Sequence, residues 1–493
     1  MQRQGTLILL ALIIVAYVTI SALVSLTKIP YADEAWFASP AINLVREGHM
    51  GNSILEVAGT QWLRMDEHTY WQPPMHFLAQ AGWYSIFGFS LFTERCLSMF
   101  WGILALVSVF FIGRALFGIE SAALLGTAAL ALDFQFIYSA SDGRMDMMCV
   151  AFALMGYAAY LLLRERHLTW AILAGNTGIV ISGLTHTHGI VHFVGLVVLI
   201  LLLDRKNIRP VHILYAVAPY VVGAIGWGLY IIQDPEAFRV QLLGHISRKA
   251  VTDGGILVAV KREIMERYLL LYGLYDAKSP LMKLRLLILA AYAAGVVGAV
   301  AQIRRGQKKG VSEILILLAI YFVLQTFLIG EKSPYYMVHV LPFYAMLLGV
   351  SAVRFKSASK LSEVVIISAL VIFFSLHVGI SSRVVLRNEY RTIFLSAAEE
   401  VRKAATGADT IMGTADLAFE IGFIPEFIDD PALGYFSGRK PDVIAVNSKY
   451  EKWFGVFERQ RPDLYEYTSR LLEEEFDLVS EVANYKIYKR RSN

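Results

Sequence analysis

Apolar stretches close to 20 residues long recur along most of the chain, separated by short polar breaks. They lie near 6–26, 95–113, 119–138, 147–163, 168–185, 189–203, 211–231, 282–301, 311–329, 335–353 and 361–380, eleven in all. Runs of this length with few charges read as membrane-spanning helices. The stretch PPMHFLAQAGWYSIFG (73–88) is apolar too, but it is short, opens on two prolines and contains glycine. It is predicted to lie in or dip into the membrane interface.

The pattern changes after residue 380. Charges become dense and no span-length run occurs. DTIMGTADLAFEIGF, DVIAVNSKYEKWF and FDLVSEVANYKIYKR read as strand, turn and helix pieces. The predicted fold class is therefore a mostly α, polytopic membrane domain over 1–380 with about eleven spans, followed by a small α/β domain over 381–493. A first outer loop covers 28–94 and a long one 233–281.

Composition agrees. Of 493 residues, 56% are hydrophobic and 17% charged, against about 25% charged in a soluble domain. Charge placement then fixes the sides. With 73–88 left out of the spans, Arg114, Arg164, Arg166, Arg205, Lys206, Arg209, Arg304, Arg305, Lys308, Lys309, Arg354, Lys356 and Lys360 all fall in loops on one face. The short opposite loops carry only Arg144 and Lys332. The positive-inside rule makes the first face cytoplasmic. The N-terminus is expected inside and the C-terminus outside, in a bacterial inner membrane. The N-terminal run could pass for a signal peptide, but its apolar core is too long and no A-x-A site follows, so a retained first span is expected. Two cysteines, Cys96 and Cys149, both in apolar segments, suggest no disulfide framework.

At the outer end of the first span, IPYADEAWFASPAINLVREG places Asp33 and Glu34 side by side. Pro30 ends the preceding helix. Ser39-Pro40 reads as an N-cap with proline at the first helical position, and Gly48 as the stop. The two carboxylates then sit on a turn or a single helical turn. In one reading Asp33 caps that turn and Glu34 merely favours its positive end. In the other, Asp33 is a general base that takes a hydroxyl or amine proton, with Glu34 adding negative potential. Adjacent helical positions point apart, so the pair does not form one clamp.

YADEAWFASPAINLVREG, YWQPPMHFLAQAGWYSIFG and TERCLSMFWGILALVSVFFIGRALFG resemble the N-terminal half of GT-C glycosyltransferases, and most nearly the protein O-mannosyltransferase and lipid A aminoarabinose transferase superfamily. SASDGRMDMM resembles the second acidic outer loop of that family, and EKSPYYMVHVLPFYAMLLG its late motif. The likeness spans about 1–355 with the motifs in order. It implies a GT-C fold and transfer of a sugar from a polyprenyl-phosphate carrier outside the cytoplasm. The acidic residue matching Asp33 would act as base, with inversion at the anomeric centre. The leaving group would be a lipid phosphate, so no soluble nucleotide site is needed. None is seen: GEKS at Gly330 lacks the spacing of a P-loop. One departure is Gln72, where the family often has lysine or histidine before Pro-Pro; glutamine brings no charge to a phosphate.

Other candidates each carry a plainer alternative. Arg144 stands between Asp142 and Asp146; it either pairs within its loop or meets a phosphate. Asp146 would hold substrate or assist the base. Lys332 follows Glu331 and either pairs with it or binds phosphate. Gln72 and His76 are expected to line the substrate site. In LLGHISRKAVTDGG, His245, Arg248 and Lys249 suggest a basic flap over an anionic lipid head, or a surface helix on anionic lipid. In LTHTHGIVHF, His188 and His192 share a helix face, which admits zinc but supplies no third ligand by spacing. Polar lining of a cavity is the preferred reading and no cofactor is indicated. Tyr335, Tyr336, Trp62 and Trp71 line a sugar or lipid site or anchor the membrane interface.

The reading is a membrane glycosyltransferase whose partners are a polyprenyl-phosphate sugar, a glycan, lipid or protein acceptor, and membrane lipids, with no nucleic acid. Asp33, Glu34 and Asp146 form its acidic set. The first rival is a flippase for lipid-linked sugars, disfavoured because no internal repeat is seen. The second is a membrane-anchored binding module.

Overall fold

The computed structural model describes residues 3–60, 62–249, 255–274, 280–356 and 358–491. All eleven expected spans are helical. They are α1 (Arg3–Thr27), α4 (Leu91–Phe117), α5 (Glu120–Ala131) with α6 (Phe134–Ala140), α7 (Asp146–Leu163), α8 (Leu168–Thr185), α9 (Gly189–Asp204), α10 (Pro210–Ile231), α11 (Arg285–Arg304), α12 (Val311–Leu328), α13 (Leu341–Lys356) and α14 (Lys360–Arg387). Two further helices, α2 (Ala32–Glu47) and α3 (Met75–Phe87), lie between the first two spans. Eight helices among the described residues are long and apolar enough to cross a membrane. The chain is an integral membrane protein. The helix α3 has 13 residues, about 20 Å at 1.5 Å per residue, which is too short to cross.

The third expected span is not straight. It bends by 62° between α5 and α6. Asp133 causes the break: its Oδ1 accepts from the amides of Gln135 and Phe136 at 2.8 and 2.9 Å and so starts a new helix. Its other oxygen accepts from the Tyr292 hydroxyl at 2.8 Å, so the buried carboxylate is not left without partners. The late span starts at α13; the preceding residues Pro334–His339 form a 3₁₀ turn.

Helices α7 and α8 approach through small residues. A Cβ on Gly178 would meet the Gly156 Cα at 2.8 Å, and one on Gly156 the Gly175 carbonyl at 2.7 Å. Only glycine permits this approach, a common device where lipid supplies no hydrophobic drive.

After α14, Asn388 adopts a left-handed C-cap (φ 45°) and the C-terminal domain follows. Its five strands are β1 (Ile411–Gly413), β2 (Phe427–Ile428), β3 (Val443–Val446), β4 (Phe476–Val482) and β5 (Tyr485–Arg490), in the order β2-β1-β3-β5-β4. The pairs β2–β1 and β1–β3 are parallel; β3–β5 and β5–β4 are antiparallel. The domain docks on α2. Asp429, just past β2, accepts from the Trp36 indole at 3.1 Å, and Lys449 sits 4.4 Å from the Trp36 ring.

Candidate active site

Helix α2 presents Asp33. It begins with a capping box, in which the Glu34 carboxylate reaches back to the Tyr31 amide at 2.8 Å. It then runs unbroken through Ser39 and Pro40 to Gly48. The expected helix start at Ser39-Pro40 is therefore wrong. Proline cannot donate to the carbonyl four residues back, here Trp36, but the Asn52 side chain donates to that oxygen at 3.1 Å instead. Ser39 is occupied elsewhere, accepting from the Ser53 amide at 3.0 Å.

The two carboxylates point apart, as expected. Glu34 is fully buried. It takes two hydrogen bonds from Arg95, at 2.8 and 2.9 Å, and one from the Gly143 amide at 2.9 Å. Burial pushes its carboxyl up, but Arg95 and Lys28 outweigh this and hold it down at about 2. With its acceptors taken, Glu34 faces a framework rather than a substrate, which corrects its inclusion in the catalytic set. Arg95 also binds the carbonyls of Ser25 and Lys28 at 2.6 and 3.0 Å, tying α1, α2, α4 and the second acidic loop together.

Asp33 is the more open of the pair. Its Oδ2 pairs with Arg144 Nη1, and Arg144 Nε donates to Asp146 at 3.0 Å. Arg144 thus bridges two carboxylates with the Tyr335 ring 4.2 Å from its Cζ. Its partners are not both in its own loop: Asp142 pairs with Lys28, a buried lysine that sequence reasoning passed over. Burial pushes the Asp142 carboxyl up to about 6, against the opposing pull of Lys28, and lowers Lys28.

His76 meets the Gly143 carbonyl at 3.3 Å, and burial pushes it down to about 4. Gln72 meets His245 at 3.1 Å, beside Trp71 and Trp62, so the loops 28–94 and 233–281 touch there. Arg248 and Lys249 close the short helix Gly244–Lys249; their side chains lie outside the described residues, as does Gly254. His188 meets His186 at 2.9 Å, stacks on His339 at 4.8 Å and packs on Tyr336 at 4.0 Å.

Lys332 stands differently from either expectation. Its ammonium contacts Glu263 at 2.9 Å and the carbonyls of Gln325, Thr326 and Ile329 at 3.1, 3.0 and 2.7 Å. It caps the C-terminus of α12. An ammonium has three donors, so none is left over for a phosphate; burial lowers its pKa. Arg267 is the cation that sequence reasoning missed. It is fully buried in the long loop 233–281, with Nε 2.8 Å from Glu263 and its Cζ 5.7 Å from the Tyr336 ring. Its two terminal nitrogens have no hydrogen-bond partner among the described residues. The available signal was an arginine set inside the apolar run of MERYLLLYG.

An apolar cavity of about 1000 Å³ opens between α8, α9 and α10. Its walls include Ile179, Phe193, Val197, Ala216 and Tyr220, and Pro73, Thr187 and Ile246 also line it, next to Gln72, His188 and His245.

The chain superposes over 97% of its length on 97% of ArnT from Cupriavidus metallidurans bound to undecaprenyl phosphate, with a TM-score of 0.64 and 13% identity. It covers 69% of the Archaeoglobus fulgidus oligosaccharyltransferase at a TM-score of 0.56 and 11% identity, with 96% of this chain matched. The mycobacterial arabinofuranosyltransferase AftD matches all of this chain with 40% of its own, at 0.53 and 12%. The family model for dolichyl-phosphate-mannose-protein mannosyltransferase matches residues 71–227. This protein has the GT-C fold. No curated protein matches it by sequence. In this GT-C chain the matched segment opens at Trp71, beside Gln72, and closes at Trp227, which lines the apolar cavity.

Proposed function

We propose that this GT-C protein transfers a sugar from a polyprenyl-phosphate carrier to an acceptor at the outer membrane face, with Asp33 as general base. The observation that carries the reading is the pairing of the partly open Asp33 carboxylate with the Arg144 guanidinium, in a helix bundle that also holds an apolar groove reaching Pro73, next to Gln72. The groove suits an isoprenoid tail that enters sideways from the bilayer. ArnT was solved with undecaprenyl phosphate and the archaeal enzyme AglB with dolichol phosphate, which supports a carrier of this class here.

The chemistry balances with the chain's own groups. Asp33 takes the proton of the acceptor hydroxyl or amine, and the freed pair attacks the anomeric carbon. The bond from that carbon to the phosphate oxygen breaks, and its electrons stay on the phosphate. Arg144 and the unpartnered nitrogens of Arg267 neutralise that charge. A single displacement inverts the anomeric centre. Asp146 positions Arg144. The C-terminal domain and the acceptor lie outside the cytoplasm in this reading, as the charge bias requires.

Purified protein with a radiolabelled polyprenyl-phosphate sugar and mixed acceptors is expected to release carrier phosphate. Asp33→Asn is expected to abolish release while donor binding persists. Turnover by Asp33→Asn at the wild-type rate removes the assigned base, and movement of intact donor across vesicles without bond cleavage favours a flippase.

A further inference from the structure

A second polar cluster lies below Asp146, between α7, α9, α12 and the 3₁₀ turn at 334–339. Tyr157, on α7, donates its hydroxyl proton to the His192 carbonyl at 2.8 Å. Its oxygen lies 2.9 Å from the Tyr321 hydroxyl, and Tyr321 in turn contacts His192 Nδ1. On the other side of that ring, His192 Nε2 is 2.9 Å from His339 Nδ1. His339 Nε2 faces Asp146 Oδ1 at 3.8 Å, and neither of those two atoms has a hydrogen bond among the described residues. All five side chains are buried.

Counting protons along this chain leaves a vacancy. There are five intervals to fill: Tyr157 to carbonyl, Tyr157 to Tyr321, Tyr321 to His192, His192 to His339 and His339 to Asp146. The two hydroxyls and two neutral imidazoles supply one proton each. With Tyr157 donating to the carbonyl, the arrangement that fills the outer intervals has Tyr321 donating to Tyr157 and His192 carrying its proton on Nδ1 toward Tyr321. A proton on His339 Nε2 faces the Asp146 carboxylate; a lone pair there would face it across a dry gap. In that arrangement the two inner nitrogens, His192 Nε2 and His339 Nδ1, keep lone pairs directed at each other. A positive charge between them resolves the conflict, since an unmet buried acceptor pair is costly.

The Cys149 thiol stands at the same place. It lies on α7 one turn below Asp146, with its sulfur 3.2 Å from the Ser182 hydroxyl. The ligand atoms of Cys149, His192 and His339 all fall within 4.8 Å of one another. We propose that this pocket binds a soft divalent cation of the zinc type through Cys149 Sγ, His192 Nε2 and His339 Nδ1. One thiolate and two imidazoles are the donor set such an ion prefers. Tyr321 contacts the outer nitrogen of His192, and the Asp146 carboxylate faces that of His339 at 3.8 Å, which favours the required tautomers; a carboxylate behind a ligating histidine is the usual supporting arrangement. Metal–ligand lengths of about 2.0–2.3 Å require small rotations that part the two nitrogens and draw in the sulfur. The ion lies beneath the transfer site and holds Asp146, and through it Arg144, in place. This assignment does not depend on the proposed sugar transfer.

The test is metal content. Protein purified with a non-histidine tag and without chelator is expected to carry about one equivalent of zinc by inductively coupled plasma mass spectrometry. Cys149→Ser and His192→Gln are expected to carry at least tenfold less. Cobalt-loaded wild-type protein is expected to show a sulfur-to-cobalt charge-transfer band that Cys149→Ser loses. This spectrum reports on the wild type, so it holds even if a variant folds poorly. Monodisperse wild-type protein with neither zinc nor the cobalt band overturns the proposal and assigns the interval to a shared proton. Metal that persists undiminished in both variants overturns it as well.

Discussion

Arg95 grips Glu34 through two parallel hydrogen bonds of 2.8 and 2.9 Å, with both side chains withdrawn from solvent. Removing one member leaves the other buried and uncompensated, which typically destabilises by about 3–5 kcal/mol. Arg95→Ala is therefore expected to lower the melting temperature in detergent sharply, and Arg95→Lys to recover only part of the loss, because lysine cannot form the fork. An unchanged melting curve for Arg95→Ala would mean that the pair does not hold the fold together.

The same pair sets an acid limit. Glu34 is held near 2 in the fold against an ordinary value of 4.5, so its contribution is present above about 4.5 and is lost as pH falls toward 2. Asp142 acts in the opposite sense. Burial raises its carboxyl from 3.8 to about 6, so its contribution is full below 3.8 and is lost as pH rises through 6. Stability measured across pH 2–8 is expected to fall on the acid side through Glu34, and Asp142→Asn is expected to flatten the decline between about 4 and 6. A decline of wild-type slope in Asp142→Asn refutes that assignment.

Arg144 joins Asp33 to Asp146 by two different nitrogens. Lysine keeps the charge but offers one point instead of a fork. Arg144→Lys is expected to lower kcat by roughly 10²–10³, the range for loss of one preorganised donor, with a smaller change in KM. Steady-state kinetics with the polyprenyl-phosphate donor decides this; a change confined to KM would make Arg144 a binding residue only.

The spans, the non-spanning character of 73–88 and the outward divergence of Asp33 and Glu34 were legible because each rests on local periodicity or charge. What was hidden depends on partners far away in sequence. The helix passes Pro40 because Asn52 supplies the missing donor. Lys332 meets Glu263 rather than its neighbour because a helix end needed capping. Arg267 was overlooked because its one local signal, an arginine in an apolar run, does not show that Glu263 and Tyr336 close around it. His192 shares a helix face with His188 yet bonds to His339, 147 positions away.

The C-terminal domain grips α2, the helix that carries Asp33, through hydrogen bonds from Trp36 to Asp429 and from Arg46 to the Phe423 carbonyl, both at 3.1 Å. Asp429 receives the Trp36 indole proton, the Tyr450 hydroxyl and the Ala415 amide, each at 3.1 Å. Trp36 is three residues from Asp33 and so lies on a neighbouring part of the same face. Asp429→Ala forfeits charge-assisted bonds of about 1.5–3 kcal/mol, and is expected to speed amide hydrogen exchange across 32–47. Exchange there at the wild-type rate would mean that the domain merely rests on α2.

The groove makes a prediction about the carrier's length. Ala216 lines the cavity in the first half of α10, where a large side chain would occupy the space that the proposed tail would fill. Displacing about 100 Å² of apolar contact at about 25 cal/mol per Å² removes about 2.5 kcal/mol, close to two orders of magnitude in affinity. Ala216→Trp is expected to raise KM for a long-chain donor by roughly that factor and to leave kcat unchanged. A short-chain donor that stops before Ala216 should be used equally by variant and wild type, because it never reaches the obstruction. If both donors suffer alike, the substitution has disturbed the bundle, and the tail runs elsewhere.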